Sequence, residues 1–346
     1  MEFSKPETVK LEGRRILLIS PRFFGYEGRI AEQLESRGAK VTFVDDRPSN
    51  STLSKILIRL SSAFIQRRLE AYHRSEIERL EGRAFDDILF IEPESCSTAT
   101  IKRYKKAFPG ARLILYMWDS FENKAGHVRG SLNLFDRTFS FDRSDSKEYA
   151  MSFRPLFFGR GFCPPMGESG NAYGLSFIGT IHSDRFRILK ALKTQAEQTG
   201  IPVFIYPYLP SRLIFWLYKL TKREFWNVDQ EDFRFDSLPY TEVLRVMSGS
   251  IAVVDIEHPG QRGLTMRTLE VIGACKKLIT TNREVIHYPF YSPDRIQVID
   301  RQVPMLAADF LKTPAEPLPS HLLAKYSLDE WINDLFGVSA WDSMKG

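Results

Sequence analysis

The residues most able to do chemistry lie in one stretch, Gln261–Asn282, QRGLTMRTLEVIGACKKLITTN. Arg262, Gly263, Leu264, Thr265, Arg267 and Thr268 fall in a polar loop and the first turn of the helix predicted after it. Amides at a helix N-terminus, with arginines beside them, favour a diphosphate. Glu270 follows one turn on, where a carboxylate accepts from the hydroxyls of a ribose. Together these are the parts of a nucleotide-sugar site, although a plain strand-loop-helix unit with a solvated loop has the same outline. A second loop is similar in character. Gly179 and Thr180 end the apolar run LSFIG and let the backbone approach a ligand closely, and His182, Ser183 and Arg185 open the next helix. In the first half, YMWDSFEN ends a buried strand and sets Asp119 beside Trp118. A carboxylate there suits a general base that takes a proton from an attacking hydroxyl. Asp is equally a favoured N-cap for a following helix. Asp142 and Asp145 read as turn and cap residues.

Alternating strands and helices must carry these groups. Arg15–Ser20 (RILLIS) is a short apolar run of the kind that fills a parallel strand buried on both faces. A helix closed by Gly38 and a second strand at Lys40–Asp45 complete a βαβ unit. The loop has Gly25 and Gly28 but no G-x-G-x-x-G, which excludes the dinucleotide fingerprint. Asn50–Leu80 reads as a long helix with a basic face. Strands recur at Asp87–Glu92, Arg112–Trp118, Arg137–Phe141 and Arg154–Phe158. Such alternation predicts an open parallel sheet covered by helices, with ligands beyond the carboxyl ends of its strands.

Gly159–Gly174 is rich in Gly and Pro and lacks periodicity, so it reads as a linker. The expected organisation is a domain over residues 1–160, a linker at 161–174, a second domain over 175–312, and a connector with a terminal helix over 313–346 that crosses back to the first domain. The second half restarts with strands at Leu175–Gly179 and Ile201–Tyr208. SRLIFWLYKLTKREFW is too short to span a bilayer, and reads as a buried helix or as one lying in the headgroup layer.

Hydrophobic content of 43% and charged content of 26% are those of a globular protein, and no apolar run is long enough to span a membrane. The N-terminal MEFSKPETVK has no apolar signal region, and three scattered cysteines without ligand or redox spacing suit a cytoplasmic protein. The net charge of +5 comes from basic residues interleaved with acids, a poor footprint for nucleic acid.

This ordering resembles the GT-B glycosyltransferases: two Rossmann-like α/β domains facing across a cleft, joined by a Gly/Pro linker and ending in a helix. FDRTFSFDRSDSKEY, LSFIGTIHSDRFRIL and the Gln261–Asn282 stretch resemble, more narrowly, the CgeB-like and group 1 glycosyltransferases of bacterial polysaccharide and lipopolysaccharide assembly. The resemblance implies a nucleotide-sugar donor bound in the second domain and a saccharide or lipid-linked acceptor in the first. Glu270 would meet the ribose, Gly263–Thr268 would cradle the diphosphate, and Gly179, Thr180 and Arg185 would assist. It implies transfer without a metal, the donor being a substrate and no cofactor being needed. There is no D-x-D triplet and no His/Cys ligand motif along the chain. It also implies a place in the cytoplasm or at the inner face of the membrane. The chain departs from the retaining E-x7-E pattern at Arg262, which leaves the stereochemistry open. An inverting single displacement needs a base, and Asp119 is the candidate. A non-catalytic protein on a degenerate GT-B fold, such as a spore-coat or assembly factor, is the alternative.

Overall fold

The computed structural model describes residues 9–47, 63–122, 126–162, 172–198, 200–307 and 309–337. The chain divides into two compact units: residues 1–156 with 328–346, and residues 157–327.

The first unit runs β1 (Arg15–Ser20), α1 (Tyr26–Glu35), β2 (Lys40–Asp45), α2 (Ala63–Arg79), β3 (Asp87–Ile91), α3 (Thr98–Ala107), β4 (Arg112–Met117), β5 (Arg137–Ser140), α4 (Arg143–Glu148) and β6 (Ser152–Phe153). Its six strands are ordered β2-β1-β3-β4-β5-β6, and every pairing is parallel. The apolar runs explain this. Ile16 to Ile19 and Ile88 to Ile91 are buried at every position, as strands covered on both faces must be. The first part of the helix predicted over Asn50–Leu80 lies outside the described residues; the second part is α2.

The second unit runs β7 (Tyr173–Thr180), α5 (Arg185–Gln198), β8 (Val203–Tyr208), α6 (Arg212–Thr221), α7 (Tyr240–Ser248), β9 (Ser250–Asp255), α8 (Met266–Gly273), β10 (Lys277–Thr280), β11 (Ile296–Val298) and α9 (Ser320–Ala324). Its five parallel strands are ordered β11-β10-β9-β7-β8. Counted within each unit, both sheets therefore begin with the order second, first, third, fourth, fifth. The direction of winding reverses between β1 and β3 in one and between β7 and β9 in the other. Such switch points leave a crevice at the carboxyl ends of the strands, where α/β sheets bind ligands.

A last helix, α10 (Leu328–Phe336), belongs to the first unit. Trp331 is fully buried and meets Tyr116 edge-on at 4.8 Å between ring centroids. Asp334 holds the buried Arg154 at 2.6 Å. Asn333 Oδ1 accepts from Val9 N at 3.1 Å and Arg37 Nη1 at 2.7 Å.

Three expectations change. Arg154–Phe158 is not a strand: β6 ends at Phe153, and Phe158 makes only an isolated bridge to Ser327. Pro155 has no amide to donate, and the Arg154 side chain turns to Asp334. No helix starts at Asp119, so it is not an N-cap; among the described residues the next helical turns run from Gly126 to Leu134. And α6 is not a buried helix. Phe215 is its one buried residue, while Leu213 and Leu220 are each 81% exposed and Trp216 54%.

Candidate functional site

The two loops singled out in the second half follow β7 and β9, the strands that flank the switch point of the second sheet. Topology thus brings Gly179, Thr180 and Arg185 to the same end of the sheet as Gly263 to Glu270. Helix α8 is capped by Thr265, whose Oγ1 accepts from Thr268 N at 3.0 Å. The hydroxyls of Thr265 and Thr268 both donate to Asp255 Oδ2, at 2.5 and 2.7 Å. Asp255 is the last residue of β9, so this carboxylate locks the head of α8 to the strand end. The loop before the helix is fixed from the other side. Gly263 O accepts from Asn282 Nδ2 at 3.0 Å and from Gln261 Nε2 at 3.2 Å, and Leu264 is buried. A loop held this way presents its backbone in one conformation, as an anion site requires.

Glu270 lies inside the helix with 4% of its side chain exposed, and its Oε2 is 2.9 Å from Arg267 Nη1. Arg185 is deployed differently from a simple phosphate contact. Its Nη1 donates to Thr180 O at 2.6 Å and its Nη2 donates to Ile256 O, so one guanidinium bridges the ends of β7 and β9. Gly179 is needed at this point: a Cβ there would come within 3.0 Å of the Phe177 ring and 3.5 Å of Arg185 Nη1.

Other residues complete the cluster. Arg301, which follows β11, donates to Asp184 Oδ1 at 2.6 Å and to Glu257 Oε1 at 2.7 Å. Thr281 Oγ1 donates to the second oxygen of Glu257 at 2.5 Å. The rings of His182 and His258 lie 5.5 Å apart. Burial, followed by the nearby Arg185, His258 and Lys222, pushes His182 down to about 3, so the ring is neutral at physiological pH. Burial lowers Arg185 to about 10, with Asp255 and Glu257 opposing that shift and Arg301 and Arg267 adding to it. The switch point therefore carries arginines and carboxylates together, and an incoming anion must compete with those carboxylates for the arginines. Arg301 escapes sequence reasoning because it reaches this place only through the sheet order; its position just past the end of a strand is the one available signal.

The corresponding end of the first sheet is aromatic and acidic. Asp119 follows β4, half-buried, with Oδ1 accepting from Ser120 N at 3.0 Å. Its own amide and that of Trp118 donate to Glu92 Oε2, at 3.0 and 3.2 Å. Glu92 is fully buried and has a left-handed backbone, φ 44°, at the end of β3. A non-glycine residue in that region is strained and is held by its surroundings. Phe23 and Phe24, on the loop after β1, are 44% and 61% exposed, and Phe23 lies 5.9 Å from the Trp118 ring. Asp142 caps α4, accepting from Ser144 N at 2.7 Å, and receives Ser120 Oγ at 2.5 Å. Asp145 accepts from Phe121 N at 2.8 Å. The expected cap role holds for Asp142, whereas Asp145 lies within α4 and instead holds the backbone at Phe121.

No family profile matches this chain, and no curated protein matches it. Solved structures do. HepE of Anabaena, in complex with UDP and glucose, is similar over 95% of this chain and 97% of its own, at 11% identity and a TM-score of 0.52. A UDP-forming alpha,alpha-trehalose-phosphate synthase from Burkholderia vietnamiensis is similar over 93% and 97%, at 10% identity and 0.52. The UDP-GlcNAc 2-epimerase of Methanocaldococcus jannaschii, in complex with UDP-GlcNAc and UDP, is similar over 83% and 89%, at 8% identity and 0.51. The chain has the GT-B fold, an α/β architecture of two Rossmann-like sheets. That fold carries an epimerase as well as transferases, so the chemistry must be argued from the residues.

Proposed function

We propose that the protein is a glycosyltransferase that moves a sugar from a nucleotide-sugar donor to a saccharide or lipid-linked acceptor. The observation that carries this reading is the switch point of the second sheet, where Arg267 and the capped head of α8 adjoin a loop held by Gln261, Asn282 and Asp255. A nucleoside diphosphate fits there, its phosphates on the amides of Gly263 to Thr268 and its ribose hydroxyls on Glu270. Binding requires Arg267 to exchange part of its contact with Glu270 for phosphate. Cations and amides neutralise the leaving diphosphate, so we assign no metal to this step. The acceptor hydroxyl loses its proton to Asp119 as its oxygen attacks the anomeric carbon, and the bonding pair of the broken C–O bond leaves with the diphosphate. Glu92 holds the backbone at Asp119 and Trp118. Phe23, Phe24 and Trp118 offer flat faces to the apolar side of an acceptor sugar.

The resemblance of the three motifs to the CgeB-like and group 1 enzymes supports surface-polysaccharide or lipopolysaccharide assembly as the setting. We place the protein in the cytoplasm, with contact at the inner face of the membrane. No helix among the described residues is long and apolar enough to cross a membrane. The exposed face of α6 supports peripheral contact instead: Leu213, Trp216, Leu217 and Leu220 stand beside Arg212, Lys219, Lys222 and Arg223.

The test is a thermal-shift panel of UDP, GDP, CMP, dTDP and their common sugar conjugates. A ligand that binds only the folded state raises the melting point. We expect one nucleotide and its sugar conjugates to do so, and the shift to be lost in Glu270→Ala. Silence across the panel favours the degenerate, non-catalytic alternative. Donor consumed without any acceptor points instead to epimerase-like chemistry.

A further inference from the structure

The first unit buries a carboxylate, an imidazole and a thiol side by side. Asp46 follows β2, His73 lies on α2 and Cys96 follows β3. Asp46 and Cys96 are fully buried, and His73 is 1% exposed. Cys96 Sγ lies 3.4 Å from Asp46 Oδ1 and 3.5 Å from His73 Nε2. A ligand atom from each of the three lies within 4.8 Å of the others. Tetrahedral zinc, with bonds of about 2.3 Å to thiolate and about 2.0–2.1 Å to imidazole or carboxylate, sets sulfur about 3.5 Å from the other ligand atoms. Both sulfur separations match that spacing.

The surroundings fit as well. His73 Nδ1 is 3.2 Å from Tyr104 Oη, a contact that orients the ring with Nε2 toward the cluster. Ser95 Oγ stands on the remaining side, 2.7 Å from His73 Nε2 and 3.1 Å from Asp46 Oδ1. Ser95 N donates to Asp46 Oδ2 at 3.0 Å, which leaves Oδ1 directed at the cluster. Arg47 offers Asp46 some charge but is held by Glu94 at 2.6 Å. All three side chains are buried, so charge on them needs a partner inside the protein. A thiolate and a carboxylate together carry two negative charges, which one divalent cation cancels.

We propose that Asp46, His73 and Cys96 bind a thiophilic divalent cation, with the Ser95 hydroxyl on the fourth side, and the thiolate–imidazole–carboxylate set identifies it as zinc. On binding, the thiol gives up its proton to solvent, and the cation balances the negative charges of the thiolate and the carboxylate. The site ties α2 to the ends of β2 and β3. Its ligands belong to the first unit, whereas the donor loops belong to the second. Sequence reasoning finds no ligand motif here because each ligand comes from a different element.

The test is elemental analysis of the full, untagged chain purified without chelator. We expect about one zinc per chain, removed by chelation at mildly acid pH and taken up again by the apo chain with a rise in melting temperature. Cobalt added to the apo chain should give a thiolate-to-metal charge-transfer band and the ligand-field bands of a tetrahedral site. Less than about a tenth of an equivalent, both as purified and after incubation with zinc and desalting, overturns the proposal. So does full zinc occupancy in a folded Cys96→Ala variant. Should that variant fail to fold, the cobalt spectrum of the parent decides, and absence of the thiolate band refutes the site. None of these readouts needs donor or acceptor, so the outcome is independent of the transferase reading.

Discussion

Glu270→Ala separates a donor-binding role from a structural one, because the two differ in size. Glu270 and Arg267 sit one turn apart on α8 at 2.9 Å, with side chains 4% and 21% exposed. The partner left behind is Arg267, the longer and more exposed of the two, which can turn its charge to solvent, so the loss of the pair costs no more than about 1 kcal/mol. The variant opens a small cavity and frees Arg267 to reach solvent, so we expect a stability loss of about 1–2 kcal/mol, well inside the usual margin of about 5–15. The effect on binding should be larger. A carboxylate accepting from ribose hydroxyls contributes about 1.5–3 kcal/mol through charged hydrogen bonds. At about 1.4 kcal/mol per decade, that is a roughly ten- to hundredfold rise in Kd. Calorimetric titration with the nucleotide identified by the panel gives Kd, and urea denaturation of the same samples gives stability. Glu270→Gln keeps an acceptor without the charge and should fall between parent and Ala variant. An unchanged Kd in folded Glu270→Ala removes the ribose contact. An unchanged Kd in Arg267→Ala as well means that the loop before α8 does not cradle the diphosphate.

Asp119→Asn should slow transfer by at least about a hundredfold while leaving the Kd for donor unchanged, as loss of a general base does; full turnover would make the residue purely structural. Arg301→Met should destabilise the protein by about 3 kcal/mol, because it leaves the buried Glu257 carboxylate with Thr281 as its remaining side-chain donor. Adding Glu257→Gln should recover part of that loss in denaturation experiments, and simple additivity would refute the coupling. His182 has a folded pKa of about 3, below its ordinary 6.5, so the unfolded chain takes up the proton first as pH falls. Its contribution to stability is complete above pH 6.5 and is lost progressively down to about pH 3. The stability difference between the parent and His182→Gln should therefore shrink by up to a few kcal/mol across that range, a value discounted for partial exposure; a constant difference refutes the neutral-ring assignment. For α6, the parent should sediment with phosphatidylglycerol vesicles, more weakly at high salt, and the triple variant Leu213→Ser, Trp216→Ser, Leu220→Ser should not. A parent that stays in the supernatant with both anionic and neutral vesicles rules out the membrane face.

The sheets were legible from the sequence because parallel strands buried on both faces must be nearly unbroken apolar runs, and RILLIS, DILFI and RLILYM are such runs. The same rule misleads at RPLFF, where burial comes from packing and from Arg154 meeting Asp334 rather than from strand pairing. The loop after β9 stood out through its own composition. Its setting did not: Asp255, Arg301 and Asn282 act on it through strand ends that only the sheet order brings together. The Asp46–His73–Cys96 cluster was invisible for the same reason. Apolar periodicity reports what faces a core, whereas polar partners on separate elements leave no periodic trace. Helix α6 shows the limit from the other side, since an apolar, aromatic helix reads alike whether it is covered or bare.

The last helix has a consequence for how the chain is made. Seven of the nine residues of α10 are buried in the unit whose strands emerge first. Arg154 is translated with that unit, but its partner Asp334 appears only after residues 157–327 have been synthesised. At about 5–20 residues per second, the first unit waits roughly ten to thirty seconds for its final core element. Through that interval it holds a buried arginine without its carboxylate and an uncovered groove of the shape of Trp331, while the second unit has all its own strands and can fold at once. The unit whose strands are made first is therefore the one whose core is completed last. The nascent first unit is where a chaperone would be needed, and a nonsense codon shortly before Leu328 would disable the half of the protein farthest from it in sequence.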